Sequence, residues 1–291
     1  MKKILFSCVL VVSLFFSSGV FVNKVFAATT SSTVNWDSAA SLARVNKIGS
    51  KILTDNKLPQ YIVFKVSDNE EANAYANFDK EIYVYRGLLD KVQNDDELAA
   101  IIAHEIGHIA NGHIARQTLV NSAIASIDPN FKNTKATTTV EVAKQLSVLK
   151  FSRNDEYEAD LTGVDLMVNS GYNPLGMISV LNKICGNYFD VLATHPSGEN
   201  RLMNIFDYAN YNYPTIVKAN YKTESYQKAL SIIYSNLKVR NASPKKLRKA
   251  EKQQIKLKKA KIKRASKIKR AFNPWDTSFA VLQALSAPSG N

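Results

Sequence analysis

The sequence predicts an α+β fold that is predominantly helical and carries a small β-sheet. Two observations support this prediction: apolar residues recur at helical spacing along much of the chain, and three short β-rich runs lie together between residues 61 and 85. The 291 residues are 45% hydrophobic and 22% charged. This length and apolar content can bury a core and exclude global disorder.

The first predicted elements are one helix and three strands. The helix covers residues 36–56, where apolar residues share one face, and Pro59 ends the pattern. The strand-like runs cover residues 61–66, 72–78 and 81–85. Asp79 and Lys80 separate the last two runs, so these runs predict a hairpin.

The rest of the chain is predicted to be mainly helical. A long helix begins after Asn94, which has the spacing of a capping box with Glu97, and ends near Ala125, before Pro129. Further helices are predicted over residues 141–149, 154–169, from 174 onward and 197–209.

Charge divides the chain into segments of different character. The formal net charge is +13, yet residues 28–237 hold 19 basic and 23 acidic residues. Residues 238–270, in contrast, hold 16 basic residues and one acidic residue. The chain is therefore divided into an N-terminal segment, a main body, a basic segment and a short apolar end, which cover residues 1–27, 28–237, 238–271 and 272–291.

The N-terminal segment has the features of a bacterial-type secretory signal peptide. Lys2 and Lys3 precede an apolar run from Ile4 to Val22, and Ala27 is a small residue suited to cleavage. The sequence thus predicts export to the periplasm, the cell envelope or the extracellular space. An uncleaved membrane anchor is the alternative, because the run is nearly long enough to span a bilayer.

The basic segment has two interpretations. Residues 245–270 lack Gly and Pro and are rich in Lys, Ala, Ile and Leu. They form either a solvated charged helix or disordered arm, or a basic helix attracted to an anionic membrane or an envelope polymer. A positive charge can also indicate nucleic-acid binding, but a secretion signal argues against that partner.

A metal-binding pattern lies on the long predicted helix. His104 and His108 are four residues apart, so both imidazoles lie on one helix face and can bind one metal ion. Glu105 lies beside the first histidine and can act as a general base. Two imidazoles and one carboxylate that leave an open position favour zinc. Two histidines that pack in a core are the alternative.

A third ligand is expected from a later helix. On a continuous helix His113 points about 180° away from His104, so we expect it at the surface or in helix packing. Glu156 and Asp160 share one helix face, which allows Glu156 to bind metal and Asp160 to orient a ligand histidine. Glu158 is rotated away and is expected to be solvated.

These motifs together resemble the gluzincin zinc metallopeptidases, the family of HtpX, the CAAX prenyl proteases, Oma-type proteases and the secreted BepA and LoiP types. The resemblance covers residues 36–209 and implies a zincin-like fold whose small sheet edge lies beside the active-site helix. The matching segments are His104-Glu-Ile-Gly-His108, Glu156-Tyr-Glu-Ala-Asp160, Asn73-Ala74-Tyr75-Ala76 and residues 82–89, 95–99 and 194–196 with Arg201. The layout is most similar to the compact LoiP-like members.

The resemblance also implies roles for individual residues. It implies one zinc ion per chain held by His104, His108 and Glu156, with Glu105 as base. His195 would be an auxiliary ligand or a stabiliser of the transition state. Arg201 lies near the site in such proteins, and a structural salt bridge is its alternative role.

The strand of Asn73, Ala74, Tyr75 and Ala76 resembles the edge to which an extended substrate can add as a further strand. The sequence thus predicts an exported zinc metalloendopeptidase that acts on proteins or peptides, and the resemblance to secreted members implies a role in envelope protein quality control. The competing prediction is a zinc-binding chaperone or adaptor whose protease site is latent.

Overall fold

The computed structural model describes residues 36–118, 151–185, 198–218 and 221–271. The predicted signal peptide, the helix predicted over residues 141–149, His195 and the apolar end all lie outside these described residues. Within the described part of the chain, no helix combines the length and apolar character needed to cross a membrane.

The sheet has three strands, as the sequence predicts. Strand β1 is Val63–Ser67, β2 is Ala74–Ala76 and β3 is Glu81–Tyr85. The strand order is β1-β3-β2: β1 pairs with β3 in parallel, and β2 pairs with β3 antiparallel. The predicted hairpin is confirmed, and Lys80 in its turn has a φ of 62°. Strand β2 therefore lies at one edge of the sheet.

The first three helices surround the strands in chain order. Helix α1 is Ser38–Asp55, α2 is Arg86–Leu89 and α3 is Asp95–Ala110. The side chain of Asn94 accepts a hydrogen bond from the backbone of Glu97, which confirms the predicted start of α3. This cap satisfies one of the free N–H groups at the helix start.

The predicted end of α3 near Ala125 is wrong. The helix ends at Ala110, and helical structure resumes only over residues 113–118. Gly112 has a φ of 70°, in the left-handed region that ends helices. The Asn111 side chain holds this turn by donating to the carbonyl of Gly107 and to the hydroxyl of Thr162.

The remaining helices follow in chain order. They are α4 Arg153–Asn169, α5 Leu175–Cys185, α6 Glu199–Asn212, α7 Pro214–Lys218, α8 Glu224–Asn241 and α9 Pro244–Ala271. A capping box between Ser152 and Asp155 starts α4. The helix predicted over residues 197–209 is confirmed as α6.

Helix α3 is the centre of the fold. Helices α1, α4 and α5 and the sheet pack around it, and its residues from Glu97 to His108 are all buried. Such a helix is apolar on nearly every side, as expected for an element enclosed by its neighbours. Helix α9 packs against α3, α6 and α8. The described residues from Asp37 onward belong to one compact unit.

Candidate metal centre

Three buried side chains from α3 and α4 converge on one point. Nε2 of His104 lies 3.1 Å from Nε2 of His108. The Glu156 carboxylate oxygens lie 3.6 Å from Nε2 of His104 and 3.5 Å from Nε2 of His108. The sequence predicts these three residues as metal ligands, and the structure brings them together.

The spacing of these atoms fits a zinc ion. Ligands at about 2.0–2.1 Å from zinc in a tetrahedral site are separated by about 3.3–3.4 Å. The separations of 3.1, 3.5 and 3.6 Å lie close to that value, the last two being measured to different oxygens of Glu156. Nitrogen and carboxylate donors also match the preference of zinc.

A close crossing of α3 and α4 makes this geometry possible. A Cβ atom at Gly107 would lie 2.8 Å from the backbone oxygen of Ala159, and one at Gly163 would lie 3.2 Å from the backbone nitrogen of His104. Glycine at both positions lets the two backbones touch. The crossing brings Glu156 on α4 within reach of both histidines on α3.

Asp160 and Arg201 support the first histidine. Nδ1 of His104 lies 2.9 Å from Oδ1 of Asp160, so Nε2 is left to face the site. Arg201 from α6 donates two hydrogen bonds to Asp160, at 2.8 and 2.7 Å, and its Nη1 lies 2.8 Å from Glu156. The salt-bridge role that the sequence left open for Arg201 is therefore present.

Neighbouring charges shift the pKa values of His104 and Asp160. Burial by itself would lower the pKa of His104, but hydrogen bonds and attraction from Asp160 and Glu156 outweigh it and raise the pKa to about 10. Burial opposes ionisation of Asp160, yet Arg201 and His104 hold the pKa of Asp160 below its usual value. Asp160 is thus an anion that keeps the proton on Nδ1 of His104.

His113 contacts the second histidine, so the prediction that it points away from the site toward the surface is wrong, although it does pack against helix α4. It is 1% exposed, and its Nδ1 lies 3.0 Å from Nδ1 of His108. The reason is the turn at Gly112: the chain is not a continuous helix, so His113 returns toward the site. Phe151 stacks on the His108 ring, with ring centroids 3.9 Å apart.

The prediction that Glu158 is solvated is also wrong in part, because its carboxylate contacts His113. Its side chain is 32% exposed, and Oε2 lies 3.3 Å from Nε2 of His113. Asp155 lies 3.8 Å from the same nitrogen and also pairs with Arg116. Sequence reasoning missed the contacts of His113 with Glu158 and Asp155 because it placed His113 on the wrong face of the helix. The Asn111-Gly112 pair was the signal that could have indicated them.

Glu105 lines a cavity beside the three candidate ligands. The cavity is partly open to solvent, its empty volume including the open part is about 430 Å³, and His104, Asp160 and Arg201 also lie in its wall. Glu105 is 3% exposed. The other lining residues are apolar and come from β2, α2, α3 and α5: Ala74, Leu88, Ala100, Ile101, Met177, Val180, Leu181 and Ile184. The sequence predicts the helix that begins at residue 174, but sequence reasoning did not assign it to the site.

The predicted substrate strand also lies beside the site. Ala74 of β2 belongs to the cavity wall, and β2 packs against α3. The Tyr85 N–H donates to the carbonyl of Asn73, and the Asn77 N–H donates to that of Glu81. Since such bonds alternate along an antiparallel pair, the polar backbone groups of Ala74 and Ala76 point away from β3.

Comparison with known proteins identifies a family and several relatives of this chain. Residues 40–209 match the model of Peptidase family M48. The chain is 26% identical to the Beta-barrel assembly-enhancing protease of Escherichia coli over 60% of its length, and it spans 40% of that protein. It is 29% identical to Metalloprotease LoiP of Escherichia coli, with 59% of the chain and 75% of LoiP covered. It is 33% identical to Mitochondrial metalloendopeptidase OMA1 of Arabidopsis thaliana, with 44% of the chain and 28% of that protein covered.

Proposed function

The chain belongs to peptidase family M48, and from this premise we propose that it is an exported zinc-dependent endopeptidase in envelope protein quality control. The observation that carries the proposal is the triangle of His104, His108 and Glu156, with Glu105 in the wall of the adjoining cavity. Family membership supports a metal-dependent peptidase and the α+β, predominantly helical, zincin-like fold.

The metal would be one zinc ion per chain. Two imidazoles and one carboxylate are the donors of catalytic zinc sites that keep a fourth position open. A zinc ion held by these side chains would supply Lewis acidity to the scissile carbonyl and to a water molecule. The side chains around it then determine where protons go and where the substrate lies.

Glu105 is the proposed general base and acid. It follows His104 directly on α3 and reaches the same cavity, where it is almost fully buried. It takes a proton from the attacking water as the oxygen bonds to the carbonyl carbon. It then gives this proton to the leaving nitrogen as the C–N bond breaks, which yields a free carboxylate and an amine.

Asp160 and Arg201 are proposed as positioning residues. Asp160 holds His104 with Nε2 toward the metal, and Arg201 fixes both Asp160 and Glu156. Because the Arg201 guanidinium already binds two carboxylates, this geometry favours support of the ligands over direct stabilisation of the transition state. For His195, the proposal of an auxiliary ligand or transition-state stabiliser rests on the resemblance alone.

The substrate would bind as an extended strand on β2. The outward backbone groups of Ala74 and Ala76 can pair with a peptide, and Asn73 and Tyr75 flank them. The side-chain oxygen of Asn73 is buried and has no hydrogen-bond partner among the described residues, so it can accept from a peptide N–H. A strand added here passes the cavity, whose apolar wall fits an apolar substrate side chain.

Export and envelope quality control are supported by two separate features. Residues 1–27 have the pattern of a secretory signal. One relative carries β-barrel assembly in its name, which is a statement about that protein. For this chain we propose the hydrolysis of proteins or peptides in the cell envelope as part of protein quality control, and no role in β-barrel assembly.

The test combines metal content with proteolysis. Wild-type protein should bind one zinc ion and cleave an unfolded protein such as casein, with loss on chelation and recovery on adding zinc. Glu105→Gln should keep the zinc and lose at least about 100-fold in turnover, since general acid–base catalysis contributes about 100- to 10,000-fold. Glu224→Gln, the same change at an exposed site, should behave as wild type.

Two outcomes would contradict the proposal. Equal turnover by the Glu105→Gln variant would remove Glu105 from the chemistry. A wild-type protein that binds zinc, cleaves nothing and suppresses aggregation of an unfolded client would instead support the zinc-binding chaperone or adaptor.

A further inference from the structure

Helix α9 presents a positively charged stripe to solvent. Between residues 244 and 271 the sequence has 14 basic residues, and Glu251 is the one acidic residue. The basic side chains described as exposed are Lys245, Lys246, Arg248, Lys249, Lys252, Lys256 and Lys259. Five of them recur at helical spacing and extend for about 21 Å along one face: Lys245, Arg248, Lys252, Lys256 and Lys259. We call these five residues the basic stripe.

The opposite face of α9 is docked on the protein. The less exposed positions of this helix recur at spacings of three and four residues: Ala250, Gln254, Leu257 and Lys261. At about 100° per residue, this face lies about 180° from the basic stripe. Leu257 is buried in the core, where α9 meets α3, α6 and α8. The basic segment is therefore a helix with one fixed orientation and its charges outward.

Lys261 ties the helix to the body. Its Nζ donates to the Tyr213 hydroxyl at 2.7 Å and lies 4.3 Å from the centre of the Tyr213 ring. Tyr213 in turn donates to Asp165 at 2.7 Å, and Asp165 also accepts from Tyr208. Because Asp165 belongs to α4, these bonds link α9 to the helix that carries Glu156. This inward lysine has a structural role that the outward ones do not share.

We propose that the basic stripe binds the surface of an anionic lipid bilayer. A straight row of cations on a convex helix matches an extended anionic surface better than a single small anion. Ile255 lies beside the stripe and is 52% exposed. An exposed aliphatic side chain among lysines suits the boundary between head groups and acyl chains. The described cations of the stripe are lysines except for Arg248, and lysine is attracted to anionic lipid mainly as a point charge.

Binding of single-stranded nucleic acid fits these observations less well. Such proteins combine cations with aromatic side chains on which bases stack. Residues 244–271 contain no Phe, Trp or Tyr. A soluble polyanion would use the charge but would gain little from Ile255. The bilayer therefore accounts for both the charge and the exposed apolar side chain.

The inference is independent of the proposed peptidase activity. None of the residues of the basic stripe lines the cavity or belongs to the metal triangle. Lipid binding can therefore be measured in a Glu105→Gln background, in which failure of proteolysis does not affect the readout. Conversely, an active protein that does not bind vesicles would remove only the lipid proposal.

The experiment measures sedimentation of the full chain with vesicles. Vesicles of phosphatidylcholine alone are compared with vesicles containing about one third phosphatidylglycerol, at low and near-physiological ionic strength. The variant Lys252→Gln/Lys256→Gln/Lys259→Gln removes three charges of the stripe. The control Lys47→Gln/Lys51→Gln/Lys57→Gln removes three exposed charges from α1 and the residues that follow it. Residues 1–27 are present in the wild type, the stripe variant and the control alike. The comparison therefore uses only the dependence of binding on anionic lipid.

We expect tighter binding to the anionic vesicles, weakened by salt. Each lysine near an anionic surface contributes about a fivefold gain in affinity, so the stripe variant should bind about 100-fold more weakly. The control should stay within about threefold of wild type. Equal binding of the stripe variant and wild type would overturn the proposal. So would equal binding of wild type to both vesicles, or binding to soluble polyphosphate without binding to anionic vesicles.

Discussion

Nδ1 of His113 lies 3.0 Å from Nδ1 of His108, so one of these two nitrogens must carry the shared proton. If His108 binds a metal through Nε2, its own proton is on Nδ1, and His108 donates to His113. Nε2 of His113 then carries a proton and faces the Glu158 carboxylate. The two ligand histidines are thus supported differently: His104 by the carboxylate of Asp160, and His108 by a second imidazole.

Loss of the His113 acceptor should weaken metal binding. His113→Leu keeps a bulky side chain but leaves the Nδ1–H of His108 without its acceptor, so we expect about 10- to 100-fold weaker zinc affinity. His113→Asn retains an acceptor near the position of Nδ1 and should stay within about threefold of wild type. Competition with a chelator, measured in the Glu105→Gln background, reports affinity without proteolysis. Unchanged affinity in the leucine variant would remove His113 from this role.

The crossing of α3 and α4 should tolerate no side chain at Gly107. Gly107→Ala improves helix propensity by about 1 kcal/mol, yet its Cβ would meet the backbone of Ala159. Because a backbone cannot rotate away, we expect a net loss of about 1–3 kcal/mol in unfolding free energy and zinc affinity reduced at least about 10-fold.

Gly49→Ala is the matched control for that variant. Its Cβ would meet the ring of Phe64, away from the metal centre, so stability should fall while zinc affinity stays unchanged. Denaturant unfolding and chelator competition measure the two effects separately. If Gly107→Ala weakens stability alone, the close crossing is not what sets the ligand geometry.

Sequence patterns were sufficient to predict most of the helices and strands and to single out His104, His108 and Glu156, which the structure brings together. The four-residue spacing of His104 and His108 follows from helix periodicity, whereas the assignment of Glu156 rests on the family resemblance, because its approach depends on the crossing of α3 and α4. His113 could not be placed in this way, since one left-handed residue at Gly112 reverses the expected direction of the chain. The sequence also could not predict that α5 lines the cavity, because this depends on which helices pack together rather than on any local pattern.

The stability of the chelator-treated protein should depend on pH through His104. Its pKa of about 10 in the folded protein lies above the usual value near 6.5. Protonated His104 therefore stabilises the fold fully below pH 6.5, and this contribution is lost as pH rises toward 10. We expect the unfolding free energy to fall by on the order of a few kcal/mol across this window.

The His104→Gln variant isolates that contribution. Measurements should stop at about pH 9.5, because tyrosines and lysines titrate above it. The difference in unfolding free energy between wild type and variant should shrink as pH rises, and saturating zinc should abolish the trend because the metal replaces the proton. A difference that is constant with pH would contradict the raised pKa of His104.

The apolar cavity should set preference for the substrate side chain next to the cleaved bond. Leu181 lines this cavity, so Leu181→Ala enlarges it and should lower kcat/KM about 10-fold for a peptide with Leu at this position, relative to one with Trp. Ile178→Ala is the control, since Ile178 lies on the same helix, is fully buried and is not part of the cavity wall. Both variants should lose about 2–5 kcal/mol of stability. A change of preference in both variants would show that general loosening of α5, and not the cavity wall, sets specificity.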